Sequence, residues 1–491
     1  MNRKKIMKNK LINGLVALSL GLVATNASAI TYDLCVGATT ITMPANSDFP
    51  TGEVVPVWAY GLDDNTAGCD SATVPGPALT MPGGDGALTV NLRNTLNGAG
   101  AEAVSMVIPG QNAVMIPVTF TDASGRTRIR SFTHEAAANN GVADGTATYN
   151  WNNMQPGTYL YHSGSHVQIQ VSMGLYGSLI KDTASGNVYQ GQAYDQQVSL
   201  LYSEVDPALN NAVVDGTYTS CSGGFAACNA DLAAGSTPST INYRPVYYMV
   251  NGAPFTSKLQ AAHSIGGIPA VGTRSDVLIR FLNAGNKTHV PVIQGGRWRI
   301  IAENGEPYSY AANDARTQYS VSVPAMSTRD VIMSIGNGVL NTTQVDAPKA
   351  FAVYDRTLAI TNAVDETPGG LISFLMADLD SDSDGVYNYQ DNCVSRANPD
   401  QSDTDNAGAG DGYGDACDGD FGGIANVVDF SDYSVMLGLI GSPGPLGDFN
   451  RATSPGVGFA DYSIFLGLIG QAPGPSCIAA TIDPLLCALN Q

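Results

Sequence analysis

The chain carries little charge and few basic or imidazole side chains. Of its 491 residues, 13% are charged, 23 are lysine or arginine, and five are histidine. No basic patch exists, so nucleic-acid binding is not expected. After residue 29 no apolar run approaches the roughly 20 residues that a membrane-spanning helix needs, so no transmembrane segment is expected either.

The N-terminus has the composition of a secretory signal. Basic residues between Arg3 and Lys10 precede an apolar run, and small residues end the segment at Ala27 to Ala29. We expect residues 1–29 to be removed as a signal peptide, with Ile30 as the mature start. The mature protein is then secreted, and is extracellular or at the cell surface of a bacterium.

Cysteine is scarce but even in number, with eight in all. An even count in an exported chain predicts disulfides. Proximity along the chain suggests four local pairs: Cys35–Cys69, Cys221–Cys228, Cys393–Cys417 and Cys477–Cys487.

Residues 30–185 and 186–365 alternate short β-rich runs with glycine, proline and asparagine. Examples are GALTVNLRN and GTYLYHS in the first region, and VLIRFLNAG and RDVIMSIG in the second. Such runs separated by turn signals are typical of a β-sandwich. The sequence therefore predicts a mainly β protein with two sandwich domains. The second contains a Gly/Ser/Ala-rich loop from Asp206 to Thr240, which Cys221 and Cys228 would close.

Four motifs in these regions resemble the first two domains of multicopper oxidases. They are VPGPALTM from Val74, GTYLYHSG from Gly157, YYMVNGAPF from Tyr247, and VLIRFLNAG from Val277 followed by HVPVIQGG. The resemblance covers about residues 31 to 365. It implies that both regions are cupredoxin domains, which are Greek-key β-sandwiches, and it favours an oxidoreductase if the chain is an enzyme.

The copper motifs of that family are largely absent. Where the family has H-W-H-G, this chain has Ser105 to Gly110 without an imidazole, and the family's Y-H-S-H is reduced to Tyr161 to Gly164 with one histidine. The family's final copper domain has no counterpart. Because its trinuclear cluster needs more imidazoles than the five of this chain, laccase-type oxygen reduction by this polypeptide alone is not expected.

One mononuclear copper site of the non-blue kind remains open. His134, His162, His166 and Met173 offer imidazole nitrogens and a thioether, which are copper ligands. A single copper there could transfer one electron, or two copies of the chain could complete a site as a homo-oligomer. The alternative is that these side chains are structural, as we expect for His263 and His289. The protein would then be a non-catalytic cell-surface or extracellular-matrix interaction module on a metal-free scaffold.

Negative charge is concentrated at the C-terminal end, where 17 aspartates, no glutamate and two arginines follow residue 370. From Asp380, oxygen-bearing side chains stand at the spacing of a calcium-binding loop, with Gly385 at its sharp turn. The segment predicts calcium as a cofactor. The candidate calcium ligands are Asp380, Asp382, Asp384, Asn388, Asp391, Asp403, Asp405, Asp411, Asp415 and Asp418.

Residues 366–420 closely resemble a thrombospondin type 3 repeat. The shared motifs are the spaced aspartates, DNC at Asp391, NPDQ at Asn398 and GDACD at Gly414. The resemblance implies a Cys393–Cys417 disulfide and a segment that calcium must order, because such a repeat has almost no apolar core. An acidic linker is the alternative interpretation.

Residues 421–475 contain an internal repeat. FSDYSVMLGLIG begins at Phe430 and FADYSIFLGLIG at Phe459. The pair resembles a dockerin, which is built from two calcium-loop-plus-helix units and binds a cohesin domain. It implies a cohesin-like or matrix partner, whereas a stalk-end module without a partner is the alternative. Residues 476–491 would form a disulfide-closed tail. The weaker calcium candidates are Asp420, Asp429, Asp432, Asp448, Asn450 and Asp461.

Overall fold

The computed structural model describes residues 29–98, 100–121, 124–218, 240, 243–255, 262–264, 274–309, 317–336, 349–362, 369–377, 382, 384, 386, 391–404, 413–421, 428, 430–443, 446–449 and 456–470. Several predicted features lie outside these residues. They are residues 1–28 of the signal peptide, the pairs Cys221–Cys228 and Cys477–Cys487, and the candidate ligands Asp380, Asn388, Asp405, Asp411, Asp429 and Asn450.

The chain is mainly β, as predicted. The first sandwich contains β1 (Ala29–Thr42), β2 (Val54–Leu62), β3 (Leu79–Met81), β4 (Ala87–Asn94), β5 (Val118–Thr121), β6 (Thr127–Ser131), β7 (Gly145–Asn152), β8 (Gly157–His162), the short helix α1 (Val167–Gln170), β9 (Tyr176–Lys181), β10 (Asn187–Tyr189) and β11 (Gln192–Ala193).

Two sheets enclose the core of the first sandwich. One has the order β2-β1-β4-β7 and the other β3-β9-β8, and β1 runs parallel to β4 but antiparallel to β2. Side chains of alternate residues point to the same face of a strand. Leu88, Val90 and Leu92 of β4 accordingly enter one apolar core with Trp151 of β7 and Tyr161 of β8. Packing in this core sets the direction of β8 and therefore the position of its last residue.

The second sandwich follows directly. Its elements are β12 (Gln196–Val205), the helix α2 (Pro207–Val214), β13 (Tyr247–Val250), β14 (Ala253–Pro254), β15 (Ala262–Ser264), β16 (Arg274–Asn283), β17 (Pro291–Ile293), β18 (Trp298–Glu303), β19 (Glu306–Pro307), β20 (Thr317–Gln318), β21 (Ser327–Gly336), β22 (Lys349–Asp355) and β23 (Ile372–Ala377). One sheet has the order β14-β13-β12-β16-β21-β18-β19, with β20 beside β18, and the other has the order β15-β23-β22-β17.

Two boundaries differ from the sequence-based expectation. The sequence predicts that the second domain ends at residue 365, but β23 pairs with β22 and puts Leu375 into the core, so the sheet continues to Ala377. The predicted loop after Asp206 begins with α2. Its start is stabilised by the Asp206 carboxylate, which accepts a hydrogen bond of 3.3 Å from the Leu209 N–H, and by proline at the first helical position.

The two sandwiches share an apolar cluster, which we call the interdomain cluster. It includes Val55 and Leu160 of the first sandwich and Leu201, Met249 and Leu282 of the second. Because these side chains are buried against each other, the two sandwiches pack together without an intervening linker.

A buried polar network joins the same two sandwiches. The Arg280 guanidinium of β16 donates to Thr158 Oγ1 of β8 at 2.9 Å and to Asp182 Oδ1 at 2.6 Å. Thr158 in turn donates to Asp330 Oδ1 of β21 at 2.6 Å, and Tyr189 donates to the other oxygen of Asp330 at 2.6 Å. Burial raises the pKa of Asp330, and the Arg280 charge works against that rise.

The C-terminal repeat forms two helices, α3 (Phe430–Leu439) and α4 (Phe459–Leu468). Met436 and Phe465 occupy equivalent positions of the repeat, and both are fully buried in a small core that also holds Phe449. The predicted disulfides Cys35–Cys69 and Cys393–Cys417 are both present. Among the described residues no helix has the length and apolarity needed to cross a membrane.

Candidate metal sites

His162 ends β8 and is buried. Its backbone exchanges hydrogen bonds with Val107, at 2.8 and 3.0 Å. The imidazole Nδ1 lies 2.9 Å from the carbonyl oxygen of Ser163, so Nδ1 is the protonated nitrogen and Nε2 carries the lone pair. Burial lowers the pKa of His162, although the hydrogen bond to Ser163 opposes this effect. The side chain is therefore a neutral imidazole with one nitrogen available as a ligand.

His166 immediately precedes α1 and has a left-handed backbone, with φ 38° and ψ 51°. Its Nδ1 lies 2.9 and 3.0 Å from the two carboxylate oxygens of Glu102. Gln170 of α1 also donates to Glu102, at 3.0 Å. Burial works against ionisation of Glu102, but the hydrogen bonds from His166 and Gln170 outweigh it, and the pKa of the carboxyl is lowered.

His134 and Met173 have different surroundings from those of His162 and His166. The His134 ring stacks on Tyr149 with centroids 4.5 Å apart, and its Nε2 lies 2.9 Å from the carbonyl oxygen of Thr148. Met173 is fully buried in the core of the first sandwich. In the described part of the chain, the ligand atoms of the three histidines do not lie within 4.8 Å of one another. The four side chains therefore do not form a common ligand set in this conformation.

Gly164 stands where the motif Y-H-S-H has its second histidine, and its surroundings leave little space for a side chain. A Cβ added at Gly164 would lie 2.7 Å from Val107 Cγ1 and 3.1 Å from Ser105 Oγ. A network of buried hydroxyls fills the neighbourhood, because Ser165 Oγ lies within hydrogen-bond distance of Ser105 Oγ, at 3.0 Å, and of Ser131 Oγ, at 2.9 Å. Sequence reasoning missed this network, since isolated serines in three separate segments have no recognisable pattern.

One histidine of the second sandwich, His289, is paired with two carboxylates. His289 is buried, with Nδ1 2.7 Å from Asp355 Oδ2 and Nε2 2.8 Å from Glu204 Oε1. Burial alone would lower the pKa of His289, but the hydrogen bonds with Asp355 and Glu204 outweigh it, and the pKa is raised. His263, by comparison, lies in β15.

Asp382, Asp384 and Asp391 form a group of possible metal ligands. One carboxylate oxygen from each lies within 4.8 Å of those of the other two. Backbone N–H groups hold these carboxylates in place: Asn398 donates to Asp384 at 2.8 Å, and Cys393 donates to Asp391 at 2.7 Å. Three carboxylate oxygens this close together suit a hard cation such as calcium.

The C-terminal region buries further predicted ligands. Six of these carboxylates have almost no exposure: Asp415, Asp418, Asp420, Asp432, Asp448 and Asp461. Asp403 is half-buried. Several accept backbone hydrogen bonds, such as that from Phe421 to Asp432 at 2.9 Å and that from Gly458 to Asp461 at 2.8 Å. Among the described residues from 382 onward, Arg396 is the single basic side chain. Burial of this much negative charge is costly unless cations compensate it.

Comparison with known proteins found similarity to copper oxidases. No family model matches the chain. L-ascorbate oxidase from Cucurbita pepo var. melopepo is 30% identical over 147 residues, which cover 30% of this chain and only 23% of that enzyme.

Solved structures resemble the chain over a longer range. The blue copper oxidase from Nitrosomonas europaea has a TM-score of 0.46 at 16% identity, covering 71% of this chain and 86% of that one. The copper nitrite reductase from the same organism has a TM-score of 0.44 at 17% identity, covering 72% of this chain and 95% of that one.

Proposed function

We propose that this chain is a secreted, multicopper-oxidase-like β-sandwich protein that works as a non-catalytic interaction module and carries a calcium-ordered C-terminal region. The observation that carries the proposal is the contact at Gly164. Where the resembled family has its second histidine, a side chain would lie 2.7 Å from Val107. The two disulfides are compatible with an exported protein.

Calcium is the cofactor that the acidic region fits. Asp382, Asp384 and Asp391 would hold one ion, and the buried carboxylates up to Asp461 would hold others. Such ions would supply the positive charge that the two arginines after residue 370 cannot provide for this many aspartates. This region would then order only with calcium, as small metal-dependent domains do.

We propose that the two C-terminal helices, α3 and α4, bind the protein partner. Leu437 of α3 and Leu466 of α4 stand at equivalent positions of the repeat and are 47% and 46% exposed, and Phe459 is 79% exposed. A duplicated exposed apolar position on neighbouring helices suits a protein partner. We propose a cohesin-like protein or another cell-surface or matrix component as that partner.

Chelation tests the calcium-dependent part of the proposal. The mature protein is digested with a non-specific protease in calcium and in excess chelator, and the fragments are mapped by mass spectrometry. We expect cleavage within residues 378–420 only after chelation, while the sandwich region stays intact in both. Equal resistance of residues 378–420 to the protease in both conditions would contradict the calcium-dependent part of the proposal.

A single copper bound through His162 is the second candidate function. It is favoured by the neutral, buried imidazole whose Nδ1 is fixed by the Ser163 carbonyl, because metal-ligating histidines commonly hold their other ring nitrogen in this way and leave Nε2 as the ligand atom. Elemental analysis of protein expressed with copper separates the two functions. Copper that is retained by the wild type and lost in His162→Ala favours this candidate, whereas copper at background in both leaves the non-catalytic module.

A further inference from the structure

Two of the candidate calcium ligands are held by the loop segment 393–398. The N–H of Cys393, the first residue of this segment, donates to Asp391 Oδ1 at 2.7 Å. The N–H of Asn398, its last residue, donates to Asp384 Oδ2 at 2.8 Å. Because both ends of the segment are hydrogen-bonded to the carboxylates, its conformation depends on where those carboxylates lie.

Arg396, inside this segment, contacts the core of the two C-terminal helices. Its guanidinium lies over the Phe449 ring, 5.8 Å from the ring centroid, and Phe449 is buried in the core that α3 and α4 share. Its Nη1 also donates to the Ala416 carbonyl at 3.0 Å. Burial lowers the pKa of Arg396, and the charge of Asp461 in the first turn of α4 opposes this effect. The guanidinium therefore offsets negative charge that α4 buries at its start.

A second contact joins the same two parts of the chain. Gly419 packs so closely that an added Cβ would lie 3.1 Å from Val428 Cγ2 and 3.4 Å from Leu468 Cδ1. Two residues later, Phe421 stacks on Phe465 of α4 with ring centroids 5.9 Å apart. The part that carries the carboxylates and the part that carries the helices therefore pack against each other at two places.

We propose that calcium at Asp382, Asp384 and Asp391 stabilises α3 and α4 and thereby regulates their docking. The coupling passes through Arg396, and the proposal rests on the calcium-binding part of the proposed function. Carboxylate oxygens within 4.8 Å of one another repel each other, and a bound cation removes that repulsion. Without calcium we expect the carboxylates to separate and segment 393–398 to shift, so that Arg396 loses its position against the helix core.

Coupling between two sites is reciprocal. If calcium stabilises the packed helices, the packed helices raise the affinity for calcium by the same factor. The exposed apolar side chains Leu437 and Leu466 stand on these helices. A partner that binds them only in the packed arrangement would therefore tighten calcium binding as well.

Hydrogen exchange of the mature full chain, followed by mass spectrometry, tests the proposal with calcium as the only added ligand. Calcium is held at the concentration that saturates the wild type in calorimetric titration. In the double variant Asp382→Asn/Asp391→Asn, we expect amides of α3 and α4 to exchange about 5–150 times faster than in the wild type, the range typical of coupled sites. Asp400→Asn, at an exposed position of the same repeat, is the matched control and should exchange as the wild type does.

Arg396→Met separates the coupling from a general loss of structure in the acidic region. It keeps the three carboxylates but removes the guanidinium that reaches the helix core. Its calcium affinity should fall, so calcium is raised until this variant is saturated, and α3 and α4 should still exchange faster than in the wild type. Replacing the two aspartates in the Arg396→Met chain should then add little. Ser395→Ala changes the exposed neighbour and should leave the exchange unaltered.

The outcomes distinguish this proposal from the calcium-binding one. Absence of calcium binding to the wild type overturns both. Calcium binding by the wild type together with unchanged helix exchange in Asp382→Asn/Asp391→Asn overturns the coupling alone. Helix exchange in saturated Arg396→Met equal to that of the wild type overturns it as well, and so do strictly additive effects of the two sets of changes.

Discussion

Gly164 and Val107 approach each other so closely that position 164 has no room for a side chain. An added Cβ would lie 2.7 Å from Val107 Cγ1. The hydrogen bonds between the backbones of Val107 and His162 hold the two segments at this separation. Any larger residue at 164 must therefore displace Val107 or push the segments apart.

Gly164→Ala should lower the free energy of unfolding by about 1–3 kcal/mol, the usual cost of overpacking a buried site. Adding Val107→Ala should recover part of that loss, because it removes the atom that the new Cβ meets. The measurement is urea denaturation of the wild type, both single variants and the double variant. Gly84→Ala, which adds a Cβ with nothing within 4 Å, is the control. Strict additivity of the two changes would contradict the contact.

His289 should make stability depend on pH in a defined direction. Its folded-state pKa is raised by Asp355 and Glu204, so its contribution is fully present below the unfolded-state pKa of about 6.5 and is lost as pH rises through the folded value. We expect the difference in free energy of unfolding between wild type and His289→Gln to be largest below about pH 6.5 and to shrink at higher pH.

Urea unfolding at a series of pH values measures that difference. Asn286→Ala alters an exposed, non-titrating side chain of the same loop, and its difference from the wild type should stay constant with pH. If the difference in free energy of unfolding between wild type and His289→Gln grows as the pH rises, the raised pKa of His289 is wrong.

Arg280→Met should destabilise the paired sandwiches strongly. It leaves Asp182 and Asp330 without their buried counter-charge, and removal of one partner of a buried ion pair costs about 3–5 kcal/mol. Differential scanning calorimetry measures the effect. Arg299→Met is the control, since Arg299 is half-buried and donates to a neutral acceptor, Gln192, at 3.0 Å. Comparable losses of melting temperature in both variants would argue against the network as the important contact.

Asp391→Asn should weaken calcium binding by at least about tenfold, because ligand charge sets calcium affinity over several orders of magnitude. Asp391 is fully buried beside Asp382 and Asp384. Asp400→Asn makes the same change of charge at an exposed position of the same repeat and should leave the affinity unchanged. Calorimetric titration of calcium into the chelator-treated full chain distinguishes them. Equal affinities of the two variants would remove Asp391 from the ligand set.

The strands were predictable because their pattern is local. Leu88, Val90 and Leu92 alternate with polar residues, and the structure places all three in one core. The helix α2 was missed because the Gly/Ser/Ala-rich composition after it outweighed its own start signal, Asp206 followed by proline. The predicted end of the second sandwich is too early because β23 stands beyond a segment without strand character.

The environments of the histidines could not be predicted. His134 stacks on Tyr149, and His166 faces Glu102, 64 residues away in sequence. Such partners are set by how strands are ordered in a sheet, and a spacing rule along one strand does not contain that information. The three aspartates of the predicted calcium loop are the opposite case, because Asp382, Asp384 and Asp391 come from one short segment whose spacing brings their carboxylates together.

The interdomain cluster makes the stability of each sandwich depend on the presence of the other. A fragment that stops at residue 185 would leave Val55 and Leu160 facing water, with about 1.5–3 kcal/mol lost for each large apolar side chain so exposed. Any shortened form of the protein that is to stay in solution has to keep both sandwiches.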